Sequence, residues 1–525
     1  MESVASWWKP ELHSYFSEDA DWSRLGSILN RNVNGSTQVI RAPFFNKGNP
    51  ANILSKWEQV VVKAGLAPEL LDYELEAKDH VGPMSTQLPL NQMIPKIEEY
   101  FSKSQSEVEL SAEAVARTVA DYSAAKGISP SDYRTTALEM RKRTFSGSEY
   151  ASTRGDVLDV SVKYLERGGV LDGSNRCAVM LHRGQEGGPE VSDQKHRVVM
   201  GYAYEVNIAE GTIYGPMTKA FQANGLVPGW ISQELVDETV TKLFDTGDPN
   251  SPIICTDFSA FDQHFSVGLQ NSGLKIIDEL VTPSPFYSYW REKIYPLAFT
   301  QPLLCSEELM VGPKPGHRRG MGSGSRATQN VETPTHRGLQ HQAAIDQSTE
   351  LNPFSQDVGD DSIMKGDDLD LTGVMETYNR FGLEMNPDKQ NVALDFATYL
   401  RRAYLRDYRV NGVMVGIYPT FRALGRLLFQ ERFHDPSWWN AEMVTLAAWS
   451  VIENCKWHPL FEEFVDYVLS GDKYKLGLLI PGFMDRVDRL ANEAINREPD
   501  FLGYLRSVQG TEGGIRNWRI CKYLE

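Results

Sequence analysis

The sequence predicts an α+β fold that ends in a separate helical subdomain, and three observations carry the prediction. Short apolar or alternating runs bounded by turn residues, such as "PIIC" and "RVVMGYAYEV", read as strands. Runs with apolar residues three and four apart, such as "SQELVDETVTKLF", read as amphipathic helices. From residue 420 onward the pattern is mostly helical and Trp-rich ("PSWWNAEMVTLAAWSVIENCKW").

At 525 residues, 41% of them hydrophobic, the chain can bury a large core spread over two to four subdomains. Five scattered cysteines without a Cys-x-x-Cys pair argue against a zinc site or a disulfide framework. No run is apolar enough to span a bilayer, and "MESVASWWKPELHSYF" lacks the basic and apolar parts of a signal peptide. The net charge of −17, from 53 Lys plus Arg against 70 Asp plus Glu, argues against a protein that coats nucleic acid, which draws on basic surface. It leaves room for an enzyme that admits nucleic acid through a locally basic channel.

Taken in order, residues 1–110 mix Trp- and Pro-containing loops with short helical stretches. "SAEAVARTVADYSAAK" (111–126) predicts a helix capped by Ser111. After the Gly-rich, charged "HRGQEGGPEVSDQKH", "RVVMGYAYEV" predicts a strand. In the helix at 232–244, Leu235, Val236, Val240, Leu243 and Phe244 share one face. Ile253 to Cys255 form a buried strand that runs out at Asp257, and "GPKPGHRRGMGSGSRATQNVET" (312–333) is a Gly-rich loop leading into a helix. "GVMETYNRFGL" sets Val374, Tyr378 and Phe381 in helical register, "NPDKQNV" is a turn, and "ATYLRRAYL" reads as one strand.

Three segments carry chemistry. A strand ending at Asp257, followed by a turn, would bring Asp262 back toward the same pocket; a capping Asp and a surface Asp are the plainer alternative. Carboxylates from distant segments suit a two-metal phosphoryl-transfer site, because hard cations prefer oxygen ligands and two ions about 4 Å apart stabilise attacking and leaving oxygens together. The second source would be a Gly-Asp-Asp turn, of which "VGDDSIMKGDD" (358–368) holds two copies. The loop "MGSGSRATQN" is either plain loop flexibility or a close approach to a sugar-phosphate backbone. It is no Walker loop, for no Gly-Lys-Ser/Thr follows, and Ser325 breaks the Gly-x-Gly-x-x-Gly spacing.

The order of these pieces is more specific than any one of them. Asp257 with Asp262, Ser323-Gly324 with Thr328, Gly-Asp-Asp, the helix closing on "FGLEMNPDK", and "YLRRAY" follow one another within about 150 residues. Over roughly residues 176–410 this resembles the palm of viral RNA-dependent RNA polymerases, and most nearly those of double-stranded RNA viruses of the picobirnavirus and partitivirus kind. The resemblance implies a right-hand polymerase with an antiparallel palm sheet and a helical thumb. The N-terminal region (1–110) would bridge fingers and thumb. Fingers would occupy 111–250 with an insertion at 270–315, the palm 251–269 and 316–410, and the thumb 411–525.

The resemblance also implies roles. Asp257 with Asp360 and Asp361 would hold two Mg²⁺ or Mn²⁺ ions. Asp262 would sit by the ribose of the incoming nucleotide, whose 2′-hydroxyl both donates and accepts hydrogen bonds. Ser323, Gly324 and Thr328 would support template and nucleotide, and Lys389 would be the general acid toward pyrophosphate. Tyr399, Arg401 and Arg402 would grip the nascent strand. Lys195, Arg197 and Arg183 would neutralise the triphosphate. Many relatives carry an Asn four residues after the Thr of this loop; here that place is Glu332, and Asn330 lies two residues after Thr328. Either Asn330 takes over or sugar selection relies on Asp262 with other partners. RNA template, nascent RNA, nucleoside triphosphates and a viral capsid protein are the implied partners, with no membrane, and the virion interior and host cytoplasm the implied locations. Basic groups would line internal tunnels beneath an acidic exterior.

Other readings fit less well. A reverse transcriptase usually has an aromatic-x-Asp-Asp turn and a bulkier residue in place of Asp262. Another palm-type metal-dependent nucleotidyl or phosphoryl transferase does not need this order of segments. A non-enzymatic structural protein with a calcium loop at 368–379 would need Glu at position twelve, where Asn379 stands. Between the two Gly-Asp-Asp copies, the first is expected to be the metal turn. It leaves Ser362 to Lys365 as a return strand and Gly366 to Thr372 as a connector. Choosing the second leaves almost no connector and sets Asp360 seven residues, roughly 20 Å of extended chain, away. "FSQDV", upstream of the first copy, is more polar than a central strand should be.

Overall fold

The structure is a computed structural model, and it describes residues 4–45, 48–386, 390–497 and 514–525. Two sheets organise the first 410 residues. The larger contains β1 (Ala5–Trp8), β2 (Ala178–Gln185), β3 (Lys195–Gly201), β5 (Leu303–Ser306) and β6 (Leu309–Pro313) in the order β1-β6-β5-β2-β3. The smaller contains β4 (Ile253–Thr256), β7 (Gln356–Val358), β8 (Asp361–Met364) and β9 (Asn391–Ala393) in the order β7-β8-β4-β9, antiparallel throughout. Strands from 178–201 and 303–313 thus build one sheet around the segment that carries Asp257.

Sequence-derived elements hold with three differences, apart from the turn "NPDKQNV", of which 387–389 lie outside the described residues and Asn391 and Val392 open β9. Ser111 caps its helix by accepting from the Ala114 N–H, but that helix stops at Asp121. β3 ends at Gly201, and Tyr204 already belongs to the helix Tyr204–Ala223, a helix so thoroughly buried that its apolar residues show no helical stripe. "ATYLRRAYL" is a hairpin, β10 (Phe396–Tyr399) and β11 (Arg402–Leu405), because Leu400 and Arg401 both take positive φ (48° and 62°), the two-residue turn that matches strand twist.

The polar strand "FSQDV" is met on one side by polar groups, though chiefly at its main chain. The helix Ala327–Asp346 is buried along almost its whole length and turns polar side chains toward β7. Arg337 Nη1 donates to the Ser355 carbonyl, and Gln340 Nε2 donates to the Gln356 carbonyl and to Ser362 Oγ. Arg337 Nε is itself anchored on Asp121 at 2.7 Å. These bonds satisfy main-chain carbonyls of the strand; the Gln356 side-chain amide and Asp357 Oδ1 are buried without a hydrogen-bond partner, and the charge of Arg337 only partly offsets the burial of Asp357.

N-terminal residues touch both ends of the molecule. β1 pairs with β6, whereas Ile53, Leu54, Trp57 and Val61 of the helix Pro50–Lys63 pack into the C-terminal helical core with Phe421, Phe464 and Trp449. The β2–β3 hairpin also reaches the C-terminal region: Glu186 meets Arg422 at 2.6 Å, and Arg183 meets Glu431 at 3.3 Å. The N-terminal helices and the β2–β3 hairpin are therefore both joined to the C-terminal helices. No helix among the described residues is long and apolar enough to cross a membrane.

Candidate active site

Strand register assembles the carboxylates. Thr256 lies opposite Ser362 in the β4–β8 pair, so the next residues along, Asp257 and Asp361, arrive at the same end of the sheet. The first Gly-Asp-Asp makes the β7–β8 turn: Val358 pairs with Asp361, with Gly359 and Asp360 at the bend. Gly359 has φ +63°, in the left-handed region that favours glycine. Asp257 is fixed through its backbone, whose N–H donates to Gln390 Oε1 and whose carbonyl accepts from Gln390 Nε2. Burial, then the neighbouring charges of Asp360 and Asp257, push the Asp361 carboxyl above its usual range, against the pull of Arg401 and Arg197.

The second Gly-Asp-Asp does different work. Asp367 and Asp368 are exposed, and Asp367 Oδ1 accepts from the Asp248 N–H while its carbonyl accepts from Ser251 Oγ. Asp370 caps the helix Leu371–Arg380 by accepting from the Gly373 N–H, so 368–379 is a connector and a helix, not a calcium loop.

Asp262 sits in the short helical turn Phe261–His264, entered through Ala260 in the left-handed region (φ 57°). The Gly-Ser loop wraps it: the Met321 N–H donates to the Asp262 carbonyl, and Ser323 Oγ donates to Asp262 Oδ2 at 2.6 Å. The Ser323 carbonyl in turn accepts from the Met200 N–H, tying the loop to β3. Gly324 has φ +118°, and a Cβ would lie 2.3 Å from the Met200 carbonyl oxygen. Thr328 Oγ1 donates to the Gly322 and Ser325 carbonyls and closes the loop onto its helix.

Glu332, not Asn330, shares this pocket with Asp262. Asn330 Oδ1 accepts from Thr218 Oγ1, and its amide donates to the Arg326 carbonyl, which turns it away. Glu332 is 2% exposed and within hydrogen-bonding reach of Asp262. Burial raises its pKa far above the ordinary value, and the charges of Asp262 and Asp360 raise it further. Asp262 is also raised, mainly by burial, with Ser323 and Arg197 pulling the other way. A proton resident on Glu332 lets the pair exist without two adjacent buried charges. Because the folded pKa exceeds the unfolded value near 4.5, the stabilisation is complete below that pH and is lost as pH rises toward the folded value. Glu332→Gln should therefore flatten the fall in melting temperature between about pH 5 and 8 in metal-free buffer. Parallel wild-type and variant profiles would rule this out.

The predicted cations divide. Arg183 lies directly opposite Arg197 in the β2–β3 register, so Arg183, Lys195 and Arg197 share one face, all exposed. Arg197 is close enough to influence Asp262 and Asp361, whereas Arg183 is engaged with Glu431. In the β10–β11 hairpin, Tyr399 and Arg402 are buried, and Arg402 donates to the Gly416 and Asn454 carbonyls; Arg401 alone stays exposed. Lys389 lies outside the described residues. Sequence reasoning missed Glu210, whose carboxylate accepts from Ser325 Oγ and the Arg326 N–H and holds the far end of the Gly-Ser loop. The available signal was a Glu in the otherwise buried stretch "NIAEGTIYG".

Comparison with known proteins agrees with this geometry. Residues 185–415 match the family model for viral RNA-dependent RNA polymerase. The chain is 40% identical, over 98% of its length and 96% of the relative's, to a potential RNA-dependent RNA polymerase of a human picobirnavirus (strain Human/Thailand/Hy005102/-). The chain belongs to the viral RNA-dependent RNA polymerases. The crystal structure of a human picobirnavirus RNA-dependent RNA polymerase superposes on this polymerase with a TM-score of 0.88 at 36% identity, over 98% of both chains. Its insertion-loop deletion mutant gives 0.86 at 35%, again over 98% of both. Among the described residues of the polymerase, no three His, Cys, Asp or Glu side chains form a ready-made cation cage.

Proposed function

We propose that this RNA-directed RNA polymerase copies an RNA template by two-metal nucleotidyl transfer, and that it replicates and transcribes the genome of a double-stranded RNA virus. The observation that carries the mechanism is the register that brings Asp257 and Asp361 to one end of the palm sheet, beside Asp360 at its turn. Their donor set is all oxygen and carries like charges held close, which fits divalent cations. Asp257, Asp360 and Asp361 would hold the ions, whose chemistry when bound would be to stabilise charge on the attacking 3′-oxygen and on the departing pyrophosphate.

The chain's own residues do the rest. Lys195 and Arg197, exposed on one face of β3, meet the triphosphate. Asp262, held by Ser323, offers its carboxylate to the ribose 2′-hydroxyl, and Glu332 fixes that carboxylate from behind. Lys389 supplies the proton to pyrophosphate. Arg401 contacts the nascent strand, while Tyr399 and Arg402 brace the hairpin that presents it. A capsid protein is the expected partner, and the virion interior the expected place of work.

Purified protein given an RNA template, the four nucleoside triphosphates and Mg²⁺ or Mn²⁺ should incorporate labelled nucleotide into complementary RNA. Absence of incorporation with either cation would sink the reading.

A further inference from the structure

One residue on the Ala327–Asp346 helix touches both segments that carry the acidic residues. Gly359, the glycine of the catalytic turn, is buried, and its peptide is bracketed from behind: its N–H donates to Thr333 Oγ1 at 2.9 Å, and its carbonyl oxygen lies 2.8 Å from His336 Nδ1. A carbonyl only accepts, so Nδ1 must carry the proton. His336 is fully buried, and its Nε2 has no polar partner. The rest of its ring is enclosed by aromatic side chains. Phe261 stacks on it at 5.5 Å, Phe258 meets it edge-on at 5.4 Å, and Tyr378 closes the third side at 5.7 Å. Phe258 follows Asp257 and Phe261 precedes Asp262 in sequence. Burial holds the imidazole neutral, pushing its pKa down to about 4, so the donor on Nδ1 persists at working pH.

We propose that His336 is a positioning residue for RNA synthesis: by donating from Nδ1 to the Gly359 carbonyl while packing between Phe258 and Phe261, it fixes Asp360 relative to Asp257 and Asp262. The inference rests on the reading of Asp360 and Asp257 as cation ligands. Among the described residues, His336 is the side chain seen to hydrogen-bond the Gly359 carbonyl. Asp360 projects into solvent from a two-residue bend, so the carboxylate can be no better placed than the peptide preceding it. Partners behind a metal ligand of this kind typically contribute ten- to a hundredfold in metal affinity or activity.

The test separates hydrogen bond from bulk. An Asn amide nitrogen lies close to where His Nδ1 lies, whereas a Gln amide nitrogen reaches toward the Nε2 position. His336→Asn should therefore rescue what His336→Gln and His336→Ala lose. Three quantities are read: Mn²⁺ affinity by calorimetry without nucleotide, amide hydrogen exchange of the 356–364 peptide, and kcat and KM for nucleotide incorporation. The Gln and Ala variants should bind Mn²⁺ about ten- to a hundredfold more weakly, exchange faster in that peptide alone, and lose kcat with KM for nucleotide unchanged. The Asn variant should lie near wild type in all three. Equal losses in the Asn and Gln variants, or wild-type Mn²⁺ affinity and exchange in the Gln variant, overturn the inference. Asp360→Asn is the control for the underlying reading: if it still binds Mn²⁺ and synthesises RNA like wild type, the ligand assignment itself has failed.

Discussion

Asp360→Asn should reduce RNA synthesis by at least about a thousandfold, equivalent to about 4 kcal/mol of transition-state stabilisation, whereas Asp367→Asn should leave it within a few-fold of wild type. Both residues are the first Asp of a Gly-Asp-Asp, seven positions apart, so composition and local sequence cannot explain a difference between them. Their settings do. Asp360 stands at the β7–β8 bend, exposed, at the sheet end where Asp257 and Asp361 also arrive. Replacing it with a neutral amide removes one negative charge from the cluster proposed to hold cations. Asp367 belongs to a connector, where its side chain accepts from the Asp248 N–H and its carbonyl from Ser251 Oγ. An Asn there keeps an acceptor oxygen for Asp248, and the Ser251 contact does not involve its side chain at all. Incorporation assays on the two variants, each checked for a wild-type melting temperature, decide the matter. Loss in the second with retention in the first would move the catalytic turn to the other copy.

That the first copy makes a strand–turn–strand was legible in the sequence because it depends on lengths: a turn needs a strand after it and room to reach the next helix. The same reasoning located the Asp257 strand and the Gly-Ser loop, since strand ends and helix starts leave local signals. Contacts across the fold left fewer. The spacing from Thr328 pointed to Glu332 as the residue beside Asp262, and the structure puts it there while Asn330 turns toward Thr218; what the sequence left open was whether an acid would keep a place that relatives give to Asn. The hairpin in "ATYLRRAYL" was hidden because its turn uses Leu400 and Arg401 instead of the usual Asn-Gly pair. Thr333 and His336 were invisible for a related reason. A helix buried on every side has no polar stripe to read, so its polar residues mark partners known only from the structure.

The C-terminal helices depend on a buried acid far away in sequence, and Glu74→Ala should expose that dependence. Glu74, on the helix Pro68–Asp79, is fully buried. Its Oε1 accepts from the Thr420 N–H at 2.6 Å and from Thr420 Oγ1 at 2.9 Å, and its Oε2 accepts from the Phe421 N–H at 3.2 Å. Thr420 and Phe421 open the helix Thr420–Leu428, so the carboxylate satisfies backbone donors that a helix start always leaves open, where negative charge is also favoured. His458 Nε2 lies 2.8 Å from Oε1; because His458 Nδ1 accepts from the Leu460 N–H, the proton must be on Nε2. Trp57 Nε1, donating to Thr420 Oγ1, adds a second N-terminal anchor to the same helix. Alanine at 74 would strand several buried donors at once, an effect of about 3–5 kcal/mol. The melting transition of the C-terminal helices should then drop by roughly 10 °C, and protease should cut first within 420–460. Glu74→Gln, which keeps an acceptor oxygen but turns an N–H₂ toward other donors, should fall between. A Glu74→Ala protein melting within a degree of wild type would mean that the apolar packing of Trp57, Phe421 and Phe464 alone holds the N-terminal helices to the C-terminal ones.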